Sequence, residues 1–99
     1  MKLEYTEQAR ADIAEIGEYI AEDDPARARS FLSDLRIFIE GISDNPRRYR
    51  LREGWGGHVR ATNYGNYLVI FDEMKDTVII LRIASGRRNV IELLENGVT

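Results

Sequence analysis

Arg82 sits at the end of the most apolar run in the chain, Val78-Ile79-Ile80-Leu81, and is followed by Ser85-Gly86-Arg87-Arg88-Asn89. Guanidinium groups at this spacing can hold an anion, and a phosphate suits their forked donors best. Arg60 offers a further cation, and His58 is a side chain whose ordinary titration lies near neutrality. A phosphodiester-cleaving site would draw on Arg60, Arg82 and His58, with Tyr64 or Tyr67 as further proton carriers and Arg87 and Arg88 as added positive charge. Each residue also has an ordinary duty. A histidine directly after Gly56-Gly57 belongs at the surface, and tyrosines flanking a turn pack across strands. Arg82 can pair with an acid such as Glu92 or lay its stem along apolar surface with its head in water.

Several chemistries are excluded at once. There is no cysteine and a single histidine, so neither a thiolate nor a histidine cluster can hold zinc, and no metal or cofactor is expected. No apolar stretch approaches the roughly 18 residues a membrane span requires. The N-terminus, Met1-Lys2-Leu3-Glu4-Tyr5, has neither a signal-peptide core nor a cleavage site and predicts a cytoplasmic product. With 43% hydrophobic and 31% charged residues over 99 positions, the chain is expected to fold as one soluble domain, 1–99.

The net charge of -3 hides an asymmetry. Residues 1–45 carry five Lys/Arg against eleven Asp/Glu, whereas residues 46–99 carry nine against six. Arg47, Arg48, Arg50, Arg52 and Arg60 crowd one short segment beside Tyr49 and Trp55. Such a strip is either a solvated loop or a nucleic-acid contact. A protein living on duplex DNA or the ribosome usually shows a basic face across the whole domain. Here a basic strip rides on an acidic body.

Positioning these side chains requires a particular set of elements. Leu3-Glu4-Tyr5 alternates like a short strand, and Thr6 followed by Glu7 starts a helix. Ala9, Ile13, Ile16 and Ile20 share one helical face, with Asp12, Glu15, Glu18 and Glu22 assigned to the others. Asp24-Pro25 stops that helix and caps the next, whose apolar positions run from Ala28 to Ile42 before Ser43-Asp44-Asn45-Pro46 ends it. Three strands follow, at 58–62, 67–72 and 77–84, joined by Gly65-Asn66 and Glu73-Met74-Lys75-Asp76; a short helix is expected over 89–94. The fold class is therefore α+β: a β-α-α-β-β-β order with a helical hairpin packed on one face of a small antiparallel sheet, plus a short C-terminal helix. Alternation in the last strand assigns Ile79, Leu81 and Ile83 to the core and Val78, Ile80 and Arg82 to an open face, a patch suited to a partner.

At this level the chain resembles the RelE/ParE superfamily of toxins from type II toxin–antitoxin systems. The resemblance covers nearly the whole length. It rests on Ala9-Arg10-Ala11-Asp12-Ile13-Ala14-Glu15-Ile16 running to Tyr19-Ile20, on Asp24-Pro25 before Ala28 and Phe31, on Asn45-Pro46-Arg47, on Tyr67-Leu68-Val69-Ile70-Phe71, and on Arg82-Ile83-Ala84-Ser85-Gly86-Arg87-Arg88-Asn89. It is most similar to the ParE, plasmid-stabilisation branch, but carries Ser85 where that branch commonly has a histidine. The resemblance implies a cognate, ParD-like antitoxin whose C-terminal segment wraps the toxin in a hetero-oligomer. The groove beside the helical hairpin, with Ile13, Ile16, Ile20, Val78 and Ile80, would take its amphipathic helix and added strand.

The resemblance implies one of two activities. RelE-like relatives cut messenger RNA on the ribosome; ParE-like relatives poison DNA gyrase by binding. Overall acidity, the lack of a basic lysine pair (Lys2 and Lys75 are the only lysines) and Ser85, which does not titrate near neutrality, favour binding. The expectation is a gyrase-inhibiting toxin that contacts target or antitoxin through Arg60, Arg82, Ser85, Arg87 and Arg88. The alternatives are an RNA endonuclease and a degenerate, non-toxic binding module.

Overall fold

Two polar caps build the helical hairpin. Thr6 ends strand β1 (Lys2–Tyr5) and accepts a hydrogen bond from Ala9 N at 3.0 Å, opening helix α1 (Glu7–Asp23). Asp24 closes α1 by donating its backbone N–H to Ile20 O at 2.9 Å. Its carboxylate then accepts from Arg27 N at 3.0 Å, opening α2 (Pro25–Asp44) with Pro25 in the first turn. One residue thus serves both helices, which is why the link is so short. The helices approach closely at Gly17, where a Cβ would lie 2.8 Å from Leu32 Cδ1.

The computed structural model describes residues 1–85. After a 3-10 turn at Pro46–Arg48 the chain forms β2 (Arg60–Tyr64), β3 (Tyr67–Met74) and β4 (Thr77–Ser85). These three strands are an antiparallel meander as expected, and the α+β architecture stands. The fourth strand changes the sheet. β1 lies parallel to β4, Lys2 opposite Thr77 through Tyr5 opposite Ile80, giving a mixed sheet of order β1-β4-β3-β2 rather than a purely antiparallel one. β2 also starts two residues later than the sequence suggests. Gly56 and Gly57, at φ 87 and 50, turn the chain, Val59 N donates to Gly56 O, and regular pairing begins only at Arg60 opposite Phe71. The helix expected over 89–94 lies outside the described residues.

The core sits between the hairpin and the sheet: Ala9 and Ile16 of α1 and Leu35, Ile39 and Ile42 of α2 pack on Val69, Phe71, Val78, Ile80 and Ile83. Val78 and Ile80 are therefore fully buried beneath the helices, not on an open face. Ile79 and Leu81 instead join Val59, Ala61, Leu68 and Ile70 in a second cluster, with Trp55 packed against it. The physical reason is a β-bulge. Ile70 of β3 faces Arg82 while Phe71 faces Ile80, so Leu81 is an extra residue. One insertion reverses the parity of every side chain after it. Val78 and Ile80 before the bulge and Ile83 after it consequently share the helix-facing side.

Candidate functional site

Arg82 is held inside the protein. β1 ends at Tyr5, so the distal half of β4 has no strand on that edge, and the first turns of α1 run alongside it instead. Thr6 Oγ1 donates to Leu81 O at 2.7 Å. Two turns on, Asp12 faces the same edge: its Oδ2 accepts from Ile83 N at 2.9 Å and from Arg82 Nε at 2.8 Å, and its Oδ1 accepts from Arg82 Nη2 at 2.9 Å. The side chains are 12% and 5% exposed. A carboxylate thus takes the place of a missing strand and a bidentate arginine neutralises it. The hydrogen bond to Asp12 holds the Arg82 guanidinium above its ordinary value, so it is a permanent cation. The acid partner expected from sequence, Glu92, lies outside the described residues.

Arg60 and Arg82 do not form a pair. They stand on β2 and β4, with β3 between, roughly 10 Å apart across the sheet. Arg60 belongs to a different setting at the far end of the sheet. Arg47 from the 3-10 turn, His58, Arg60, Glu73 at the end of β3 and Lys75 in the β3–β4 turn line a cleft of about 500 Å³. Arg47 grips Glu73, with Nη2 to Oε2 at 3.0 Å and Nε to both carboxylate oxygens at 3.2 and 3.3 Å. That hydrogen bond, seconded by the charges of Arg47, Arg60 and His58, holds the Glu73 carboxyl below its ordinary value. Cations therefore converge on the cleft, and its one acid is already engaged.

A β-bridge pairs Leu51 with Arg60, and a second cleft is lined by Arg50, Leu51, Arg52, Glu53 and Trp55. The aromatic residues of the strip are covered by arginines. Arg52 stacks on Trp55 at 5.4 Å, and Arg48 stacks on Tyr49 at 5.0 Å while donating to its hydroxyl at 2.9 Å. The Nε atoms of Arg52 and Arg60 are buried with no hydrogen-bond partner among the described residues.

A third feature is apolar. Tyr5, Ile13, Leu32, Leu35 and Ile39 floor a groove of about 530 Å³ between the two helices, with Arg10 and Arg36 lining it too. Burial, then the charge of Glu40, raises the Tyr5 phenol above its ordinary value. Of the residues expected to line a partner groove, Ile13 does so. Ile16 is buried in the core and Ile20 packs against it, half-buried. Val78 and Ile80 are inaccessible for the reason given by the bulge.

The tyrosines nominated as proton carriers face the helices. Tyr64 and Tyr67 meet the ring of Phe31 edge-on at 5.6 and 5.7 Å, and Tyr64 also packs on Phe38 at 4.8 Å. Ser85 is exposed at the end of β4, and Arg87 and Arg88 lie outside the described residues. Among the described residues no three of His, Cys, Asp and Glu come together at metal-binding spacing. Asp12, Glu73 and Lys75 were not singled out from sequence. A signal for Asp12 existed: it stands three residues after Ala9 and four before Ile16, an acid on the apolar stripe.

A family model described as the ParE toxin of the type II toxin–antitoxin system, parDE, matches residues 3–90. Among solved structures, the chromosomal ParDE toxin–antitoxin system from P. aeruginosa is similar, with a TM-score of 0.73 at 22% identity, covering 86% of this chain and 95% of that one. At that identity the likeness speaks for the fold. No curated protein matches the chain.

Proposed function

The chain belongs to the ParE toxin family of type II toxin–antitoxin systems, and from that premise we propose that it inhibits DNA gyrase by binding, in the cytoplasm, under the control of a cognate antitoxin. The observation that carries the binding mode is the engagement of Arg82. An in-line attack on RNA needs a general base, a general acid and cations converging on one phosphate. Arg82 is committed to Asp12 and stands two strands from Arg60, and Tyr64 and Tyr67 are packed on α2. His58 and Arg60 are left in a cleft whose one carboxylate is gripped by Arg47. Family membership is what supports gyrase as the target.

The groove between the helices supports the antitoxin reading. Its apolar floor suits the buried face of an amphipathic segment, and Arg10 and Arg36 suit flanking carboxylates. Purified protein incubated with gyrase and supercoiled plasmid is expected to accumulate trapped double-strand breaks, and addition of the antitoxin to abolish them. Intact plasmid together with cleaved ribosome-bound message would replace this reading with the nuclease.

A further inference from the structure

We propose that the last fourteen residues of the chain, 86–99, fold back over the face of the sheet turned away from the helices and close it, leaving the groove between the helices free. Neither the gyrase target nor the antitoxin is assumed. Both helices pack on the side of Val69, Phe71, Val78 and Ile80. On the opposite side Val59, Ala61, Ile70 and Leu81 are nonetheless buried, Ile70 completely, and so is Ala84, which stands opposite Leu68. Among the described residues, the one large apolar side chain laid on this cluster from outside the strands is Trp55. It enters from the β2 edge, where Arg52 N donates to Val59 O at 2.8 Å. Leu81 and Ala84 are on β4, two strands away and roughly 10 Å across the sheet. One indole does not cover both sides. Aliphatic side chains on a sheet face with no layer over them stay in contact with water, so the burial at β4 requires further chain.

Three properties assign that cover to residues 86–99. The chain leaves β4 at Ser85, directly after Ala84, so the segment begins at the border of the half that Trp55 does not reach. Val90, Ile91, Leu93, Leu94 and Val98 supply five aliphatic side chains within fourteen residues. The reach is sufficient as well. From Ser85 back to Ile79 is about 20 Å along the strand, whereas fourteen residues extend to roughly 45–50 Å, which leaves room for a helical turn on the way. Tethering then favours this occupant over a second copy or a separate protein, because a segment joined directly to the sheet acts at an effective concentration on the order of millimolar.

The chain has no cysteine, so Asn96→Cys provides a single attachment point for a nitroxide spin label. Relaxation by the label falls with the sixth power of distance. In NMR spectra of the labelled full chain, free of antitoxin, the methyl signals of Leu68, Ile79 and Leu81 and the indole signal of Trp55 are expected to lose most of their intensity. Those of Ile13, Leu32 and Ile39, on the far side of the sheet, should keep most of theirs. Thr99→Cys is a second attachment point and should give the same pattern if a label at 96 disturbs the fold. Loss concentrated at Ile13, Leu32 and Ile39 would place the segment in the helical groove instead. Loss that arises only between molecules, when spin-labelled and isotope-labelled chains are mixed, would make the cover a second copy. No selective loss would mean that the segment does not dock. Each of these three results overturns the proposal, and gyrase trapping is read in a separate assay that none of them decides.

Discussion

Arg82–Asp12 and Arg47–Glu73 bring together the same two chemical groups at 2.8 and 3.0 Å, yet their arginines differ sharply in solvent exposure. The first pair is 12% and 5% exposed and its carboxylate also accepts a backbone N–H; in the second, Arg47 is 77% exposed and Glu73 9%. A buried pair is not a source of large net stability, because desolvation offsets most of the attraction. Its consequence is an asymmetry: the two groups together are tolerated, and either alone is not. In the outer pair the asymmetry is one-sided, since water reaches the exposed Arg47 far more readily than it reaches Glu73. One pair therefore fixes how α1 sits against β4, and the other is a surface contact that a competing anion can displace.

Asp12→Ala breaks the buried pair most severely. It leaves the Arg82 charge and the Ile83 N–H without partners, and stability is expected to fall by about 3–5 kcal/mol in denaturant melts. Against a total of roughly 5–15 kcal/mol for a domain, that is a large fraction. Arg82→Met keeps the length of the stem and leaves the Ile83 hydrogen bond in place, so the expected loss is smaller, about 2–3 kcal/mol. Near-wild-type stability of Arg82→Met would show that the guanidinium serves a partner rather than the fold. Asp12→Asn retains an acceptor for Ile83 N but leaves the Arg82 charge unpaired with an amide donor facing it, and is expected to cost about 3 kcal/mol, close to Asp12→Ala.

The same contrast explains what could be read in advance. Thr6, Asp24-Pro25 and Gly65-Asn66 act on atoms within a few residues, so helix starts, the hairpin and the β2–β3 turn were legible from local chemistry. The Asp12–Arg82 contact spans 70 residues and the parallel pairing of β1 with β4 spans 75, and nothing local announces either. The bulge at Leu81 was illegible for a different reason. The run Val78-Ile79-Ile80-Leu81 is apolar at every position, so both parities look equally good, and only the pairing with Ile70 and Phe71 decides between them. Hence Arg82 was expected to face a partner when it faces α1. The arginine strip was legible as charge, but its division into aromatic-stacked and unpaired guanidiniums depends on where Trp55 and Tyr49 fall.

The smallest effect sharpens the comparison from the surface side. Because Glu73 titrates below its ordinary value of 4.5, chiefly through the Arg47 hydrogen bond, the folded state binds its proton more weakly than the unfolded one. The stability this contributes is present above that value and is lost as pH falls through the lowered one. Arg47→Ala should therefore lower Tm slightly at neutral pH and not at all below the lowered value, while moving the Glu73 titration, followed by NMR of its side chain, back toward 4.5. Raising salt should move the wild-type titration the same way, since screening acts on an exposed pair. The hydrogen bonds between Asp12 and Arg82, being buried, should persist through both treatments. If Arg47→Ala instead lowers Tm as much as Arg82→Met does, depth of burial is not what separates the two pairs. The distinction between a fixed inner pair and a displaceable outer one would then fail.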